Sequence, residues 1–166
     1  MSHFTDVKHF MSTFGQATPG QPTVPAVDII KLRLRLIIEE FEELFDAVTI
    51  TGYDEHPVLD VAKESFLSLN NCIKALEPQD FDVDMIESAD AFTDLDYVVQ
   101  GGGIAFGIDL DKCFEEVHSS NMSKLDANGK PIRNAEGKVQ KSELYRKPDL
   151  KSVLIKQGYI PYVEAT

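Results

Sequence analysis

The residues best equipped for chemistry are carboxylates set among apolar neighbours. Residues 35–48 read RLIIEEFEELFDAV, with Glu39, Glu40, Glu42 and Glu43 inside five positions. Like charges three or four residues apart on a helix repel one another, so such crowding needs a physical reason. Steps of three and four stay on one helix face. The row Leu36, Glu40, Glu43, Ala47 is then apolar at its ends and acidic in its middle, and Val83, Glu87, Asp90, Asp94, Val98 repeats the arrangement downstream. Both rows lie beside strongly apolar residues (Ile37, Leu44 and Val48; Ile86, Ala91 and Leu95), which directs the carboxylates at least partly inward. A buried carboxylate without a counter-charge is costly. Lys31, Arg33 and Arg35 are the basic residues nearby, too few and off the row; Arg35 can pair with Glu39 at i,i+4 and accounts for that glutamate only. An all-oxygen ligand set suits a hard divalent cation, Mg²⁺ or Mn²⁺. A solvated acidic face is the competing reading of the first row. Its repetition on a second helix, framed again by apolar positions, favours a metal held between helices.

Helices must carry those rows, and the rest of the pattern agrees. Phe4, Val7, Phe10, Met11 and Phe14 recur at helical spacing, with Gly15 as a stop. ATPGQPTVP (17–25) cannot continue a helix and reads as an extended linker. A long helix over about 27–50 follows, broken by TGYDEHP (51–57). Val58, Leu59, Ala62, Phe66, Leu69, Ile73 and Leu76 mark the next amphipathic helix. Asp84 and Asp109 are placed to cap two more. GGGIAFG (101–107) lacks the Lys-Ser/Thr of a phosphate-binding loop and reads as a site of close helix packing or a kink. LDANGKPIRNAEGKVQ carries Asn-Gly and Glu-Gly turn signals and predicts one small hairpin or extended arm. DANG there is a turn rather than a calcium loop, for which the glycine falls too early and the last ligand glutamate is missing. KPDLKSVLIKQG predicts a last short helix. The expected fold is all-α: a bundle of four to five helices with a small C-terminal hairpin or arm, one domain over 1–166.

Bulk properties narrow the function classes. A formal net charge of -12 and a pI near 4.6 argue against a nucleic-acid or anionic-membrane surface. They leave a phosphate ligand open, because a bound metal reverses the local charge. No apolar stretch is long enough to span a bilayer, and MSHFTDVKHF lacks the apolar region of a signal peptide. Cys72 and Cys113 lack CxxC spacing and read as two reduced thiols. The location expected from this is cytoplasmic.

Several motifs taken together carry a resemblance. IIEEFEEL followed downstream by ESADAFTDLDYVV resembles the MazG-like, all-α nucleoside triphosphate pyrophosphohydrolases. Their pattern of ExxE on one helix and ExxD on another falls on Glu40-Phe41-Glu42-Glu43 and Glu87-Ser88-Ala89-Asp90. FMSTFGQATPGQPTVP and VHSSNMSK are similar to the N-terminal and C-terminal parts of one branch, so the resemblance covers most of the chain. One departure stands out. The 43 residues between Glu43 and Glu87 exceed the usual spacing, so the helix near 58–76 looks inserted, which bears on specificity and not on the metal site. In size and layout the chain is similar to a phage branch, the MazZ-type (d)GTP pyrophosphohydrolases (in a phage, the compartment would be the host cytoplasm).

The resemblance implies metal-dependent cleavage of a nucleoside triphosphate to monophosphate and pyrophosphate. Glu40, Glu43, Glu87 and Asp90 would ligate Mg²⁺ (or Mn²⁺), with Asp94 as a further ligand or support. Glu39 would orient or deprotonate the attacking water, unless it serves as a surface partner of Arg35. Asn121 and Lys124 would contact phosphates; without the resemblance they are an ordinary helix end. Phe10, Phe14 and Gln16 are candidates for the base pocket, with core packing as the alternative for the two phenylalanines. Homodimers or homotetramers are the assemblies the resemblance implies. Two readings compete: a di-iron carboxylate bundle, which needs two ExxH pairs where only Glu115–His118 supplies one, and a non-enzymatic helical interaction module, which leaves the carboxylate rows unexplained.

Overall fold

The computed structural model describes residues 2–49, 57–134 and 139–161. Six α-helices follow one another: α1 (His3–Thr13), α2 (Val27–Val48), α3 (Pro57–Ala75), α4 (Met85–Ala105), α5 (Leu110–Met122) and α6 (Leu150–Lys156). A single 3₁₀ turn, Pro78–Asp80, lies between α3 and α4. Among the described residues there is no strand, only two isolated bridges, Leu125 with Pro131 and Arg133 with Val139. The chain is therefore all-α, and the segment after α5 is an arm. The Glu136-Gly137 turn and the break after α2 lie outside the described residues. The contacts divide the chain into two compact units, residues 1–21 with 89–166, and residues 22–88.

Local chemistry sets the helix ends. The Ser2 hydroxyl accepts from the Thr5 N–H and starts α1; Gly15, at φ 67°, takes the left-handed conformation that stops it. Asp84 accepts from the N–H groups of Ile86 and Glu87 at the start of α4, and Asp109 accepts from Lys112 at the start of α5. The Gly15 stop and the Asp84 and Asp109 caps were legible in the sequence; Ser2 was not singled out there. At the end of α4, Gly107 (φ 71°) turns the chain so that the Ile108 N–H reaches the Gly103 carbonyl at 2.8 Å. In the arm the Asp126 carboxylate accepts from the N–H groups of Asn128 and Lys130, and Gly129 (φ 72°) closes the turn. That carboxylate is occupied by its own backbone, as the turn reading of DANG requires.

In the unit of 22–88, α2 packs on α3. Phe66 of α3 meets Phe41 and Phe45 of α2 edge-on, with ring centroids at 5.6 and 5.7 Å, a favoured aromatic geometry. Lys31 Nζ donates to the Lys74 carbonyl and Arg35 Nε to Asn70 Oδ1, at 3.0 and 2.7 Å.

In the other unit, α5 is the common partner of α1 and α6. The His3 ring stacks on Phe114 at 3.8 Å and its Nε2 lies 3.2 Å from Asp111. Phe14 is fully buried, and its carbonyl, at the end of α1, accepts from the Arg133 guanidinium of the arm. Gln157, just past α6, brackets the start of α5: its Oε1 accepts from the Asp109 N–H and its Nε2 donates to the Asp109 carbonyl.

Gly103 is the packing glycine anticipated within GGGIAFG. A Cβ there would sit 2.5 Å from Leu110 Cγ, whereas Gly101 and Gly102 face open space. Gly103→Ala should therefore destabilise the protein by about 1–3 kcal/mol through overpacking. Gly101→Ala and Gly102→Ala should each add roughly 0.5–1 kcal/mol from helix propensity. Urea unfolding of the three variants checks the opposite signs.

Candidate functional site

The two carboxylate rows fall on α2 and α4, as expected. Glu39 and Glu40 are neighbours on α2, with Glu43 about one turn further on; Glu87, Asp90 and Asp94 run along the first half of α4. Their surroundings differ from the expectation. All six are exposed, so the rows do not point inward. The reason is that the flanking apolar positions are uncovered too: Leu36, Ile37, Leu44 and Val48 on α2, and Ile86, Leu95 and Val98 on α4 are all exposed.

Glu40 still carries the mark of crowding. Partial desolvation first, then the charge of Glu43, then that of Glu39, push its carboxyl above the usual range. The Arg35–Glu39 pair is not formed, because Arg35 turns to Asn70 on α3. Among the described residues the ion pairs are His3–Asp111, Lys63–Asp46, Lys112–Asp109 and Arg146–Glu116, and none involves the two rows. Also among the described residues, no three His, Cys, Asp or Glu side chains are gathered closely enough to hold a metal ion. On α2 the charges of Glu43 and Glu39 act on Glu40. The donor chemistry of these three, carboxylate oxygens only, is of the type that suits Mg²⁺ or Mn²⁺, but among the described residues it is not gathered into a cation site.

The other candidates lie in the unit built on α5. Asn121 sits in the last turn of α5 and Lys124 just beyond it; both are half-buried, and Lys124 Nζ donates to Asn121 Oδ1 at 2.8 Å. Phe10 is half-buried with its ring 4.3 Å from that of Phe14. Phe14 has no exposed surface and is a core residue in this structure, offering nothing to a base. Gln16 is exposed, and its N–H bonds the Met11 carbonyl. His118 is half-buried with its ring parallel to Phe114, a structural placement.

The YRKPD segment (145–149) is tied to α5. Arg146 pairs with Glu116 of α5 and donates to Ser119 Oγ at 2.6 Å, and the Asp149 N–H donates to the same Glu116 carboxylate at 2.8 Å. The available signal was Glu116 itself, an acid three residues after Cys113 on the apolar face of α5.

Comparison with known proteins adds to this geometry. The family model for phosphoribosyl-ATP pyrophosphohydrolase matches residues 7–121. The crystal structure of a candidate NTP pyrophosphohydrolase from Exiguobacterium sp. 255-15 superposes with a TM-score of 0.75 at 26% identity, over 95% of this chain and 96% of that one. No functionally curated protein matches the chain. The all-α fold and the matched span define a pyrophosphohydrolase. The chain belongs to the phosphoribosyl-ATP pyrophosphohydrolase family. No described helix is long and apolar enough to cross a membrane.

The Glu116 pair carries a pH dependence. The Arg146 hydrogen bonds, then the Asp149 N–H, hold its carboxyl below the usual value of 4.5. A depressed folded-state value means that the contribution is complete above the unfolded-state value and is lost as pH falls through the folded one. Protection of the Asp149 amide against exchange should therefore be full at neutral pH and fall below pH 4.5. In Glu116→Gln the amide should be poorly protected already at neutral pH, with the acid step gone. Amide exchange followed by NMR reads both.

Proposed function

We propose that the protein hydrolyses a nucleoside triphosphate between the α and β phosphates, releasing the monophosphate and pyrophosphate in a metal-dependent reaction. The observation that carries this reading is that the matched family span, 7–121, contains both carboxylate rows and reaches Asn121. In this reading Glu40, Glu43, Glu87 and Asp90 hold Mg²⁺ or Mn²⁺, and Asp94 ligates or supports. When bound, the cation neutralises phosphate charge and supplies Lewis acidity toward the oxygen under attack. The chain's own residues do the rest. Glu39, free of Arg35, orients the attacking water and takes its proton. Lys124 and Asn121 meet the phosphates with an ammonium and an amide. Phe10 and Gln16 remain the candidates for base contact. A preference for dGTP or GTP is supported by the likeness to the phage branch alone.

The test is a panel of NTPs and dNTPs with Mg²⁺ or Mn²⁺, with products resolved. Monophosphate and pyrophosphate should appear without a diphosphate intermediate; orthophosphate with a nucleoside diphosphate would sink the reading. Mg²⁺ at about a hundred times its Kd should stabilise the fold by about 2.7 kcal/mol. Glu43→Gln should lose about a hundredfold in turnover while leaving the metal-free fold as stable or more so, since it relieves Glu40. Asp80→Asn, in the loop before α4, should leave the Mg²⁺ stabilisation intact; equal loss from both would indicate diffuse screening of an acidic protein.

We further propose that the active form is a homodimer or homotetramer. Among the described residues only Phe14 and Ile73 are buried apolar side chains, whereas Ile86, Tyr97, Val98 and Ile104 of α4 are each more than 60% exposed. Apolar surface of that extent on one helix calls for cover, and a second copy supplies it. Light scattering should give at least twice the 18.5 kDa chain mass. Ile104→Glu should shift the mass toward that of one chain, and a wild-type mass of one chain would exclude the proposal.

A further inference from the structure

The end of α5 is held by a network whose members are far apart in sequence. The Arg146 guanidinium bonds Glu116 and, at 2.6 Å, Ser119 Oγ. The Arg146 backbone takes part as well. Its N–H donates to Ser123 Oγ at 3.0 Å, and its carbonyl accepts from Ser120 Oγ at 2.8 Å. Ser120 is 3% exposed, so its hydroxyl is a buried polar group with a defined partner. Two further hydroxyls quench carbonyls at the helix end: Ser123 Oγ donates to the Ser120 carbonyl and Ser142 Oγ to the Ser123 carbonyl, at 2.7 and 3.0 Å. These contacts flank Asn121 on both sides, and Lys124 follows directly.

The chemistry of that location explains what the network is for. A helix C-terminus presents unpaired carbonyls and a partial negative charge, which is unfavourable for a phosphate. Lysine is a flexible cation that loses much freedom when it is ordered. A phosphate subsite here needs the carbonyls satisfied and the ammonium held. Both conditions are met, since hydroxyls cover two carbonyls and Asn121 holds the Lys124 ammonium.

On the reading above, in which Asn121 and Lys124 meet phosphate, we infer that Arg146 is a positioning residue: clamped between Glu116 and Ser119, it fixes the end of α5 so that Lys124 and Asn121 are preorganised for the phosphates. Its guanidinium is engaged by protein acceptors and serves the substrate through α5. The lowered Glu116 carboxyl pKa is consistent with a persistent pair.

The test is a double-mutant cycle on the full-length protein. Affinity for inorganic triphosphate with Mg²⁺ is measured by calorimetry, alongside KM and kcat for whichever nucleotide is turned over. Arg146→Ala should weaken triphosphate binding and raise KM by about tenfold, the scale of one charge-assisted bond, with kcat changed less than about twofold. Lys124→Ala should lose a similar amount, and the double variant should be no worse than Lys124→Ala alone, since both act through one ammonium. Arg146→Lys should recover part of the loss. Glu116→Gln keeps the side-chain volume and should reproduce a weaker form of the defect, which guards against simple unfolding of Arg146→Ala. Additive losses in the cycle, or unchanged triphosphate affinity in folded Arg146→Ala and Glu116→Gln, would overturn the inference. Wild-type protein that binds triphosphate with this coupling but yields no monophosphate and pyrophosphate would refute the proposed reaction and leave the role of Arg146 standing.

Discussion

Repulsion among the carboxylates of α2 is the constraint around which the unit of 22–88 is arranged. Four glutamates in five positions weaken an isolated helix, so α2 must be held by something else. Packing against α3 supplies it. Phe41 and Phe45 engage Phe66, and the basic side chains of Lys31 and Arg35 reach across to α3 rather than folding back onto the glutamates. The helix near 58–76, which looked like an insertion, thus has a physical role. It anchors the acidic helix and engages Arg35, the one nearby cation spaced to pair with Glu39. Partial desolvation first, and then the unneutralised charges of Glu43 and Glu39, leave the Glu40 carboxyl raised in that arrangement.

The second unit solves a different problem, the anchoring of short elements. α6 has seven residues, too few to be stable alone. It is fixed at both ends by α5: Gln157 grips the Asp109 backbone, and Glu116 accepts the Asp149 N–H at the α6 cap. α1 is tied to the same helix through the His3–Phe114 stack, and its C-terminal carbonyl is met by Arg133 of the arm. Polar contacts carry much of this organisation, in keeping with how few apolar side chains are buried.

What was legible in the sequence follows the range of the interactions involved. Caps and stops act within four residues, so Asp84, Asp109 and Gly15 could be placed or used to bound helices with little error. Periodicity located α2, α3 and α4, and GGGIAFG was legible as a place of close helix packing or a kink, although only the structure identifies Gly103 as its packing glycine. The Glu116–Arg146 pair spans 30 residues, and no local rule connects its members. The inward direction assigned to the carboxylate rows failed for a related reason. Periodicity identifies an apolar face but does not say what covers it, and the flanks of both rows are exposed. Phe14 shows the reverse case, in which spacing allowed both a core and a ligand role and full burial decides for the core.

The uncovered flanks connect assembly to the acidic rows. Covering the apolar residues beside Glu40 and Glu87 would withdraw solvent from carboxylates that water now stabilises. Desolvation raises the free energy of each charged carboxylate and strengthens its attraction to a cation in the same step. Association and cation binding would therefore favour one another. A cation lowers the electrostatic cost of bringing acidic faces into an interface, and the interface excludes the water that would otherwise screen the cation. If the proposed assembly and cation binding both hold, that linkage would give the crowding on α2 its purpose, because the repulsion among its glutamates would be relieved only when both are in place.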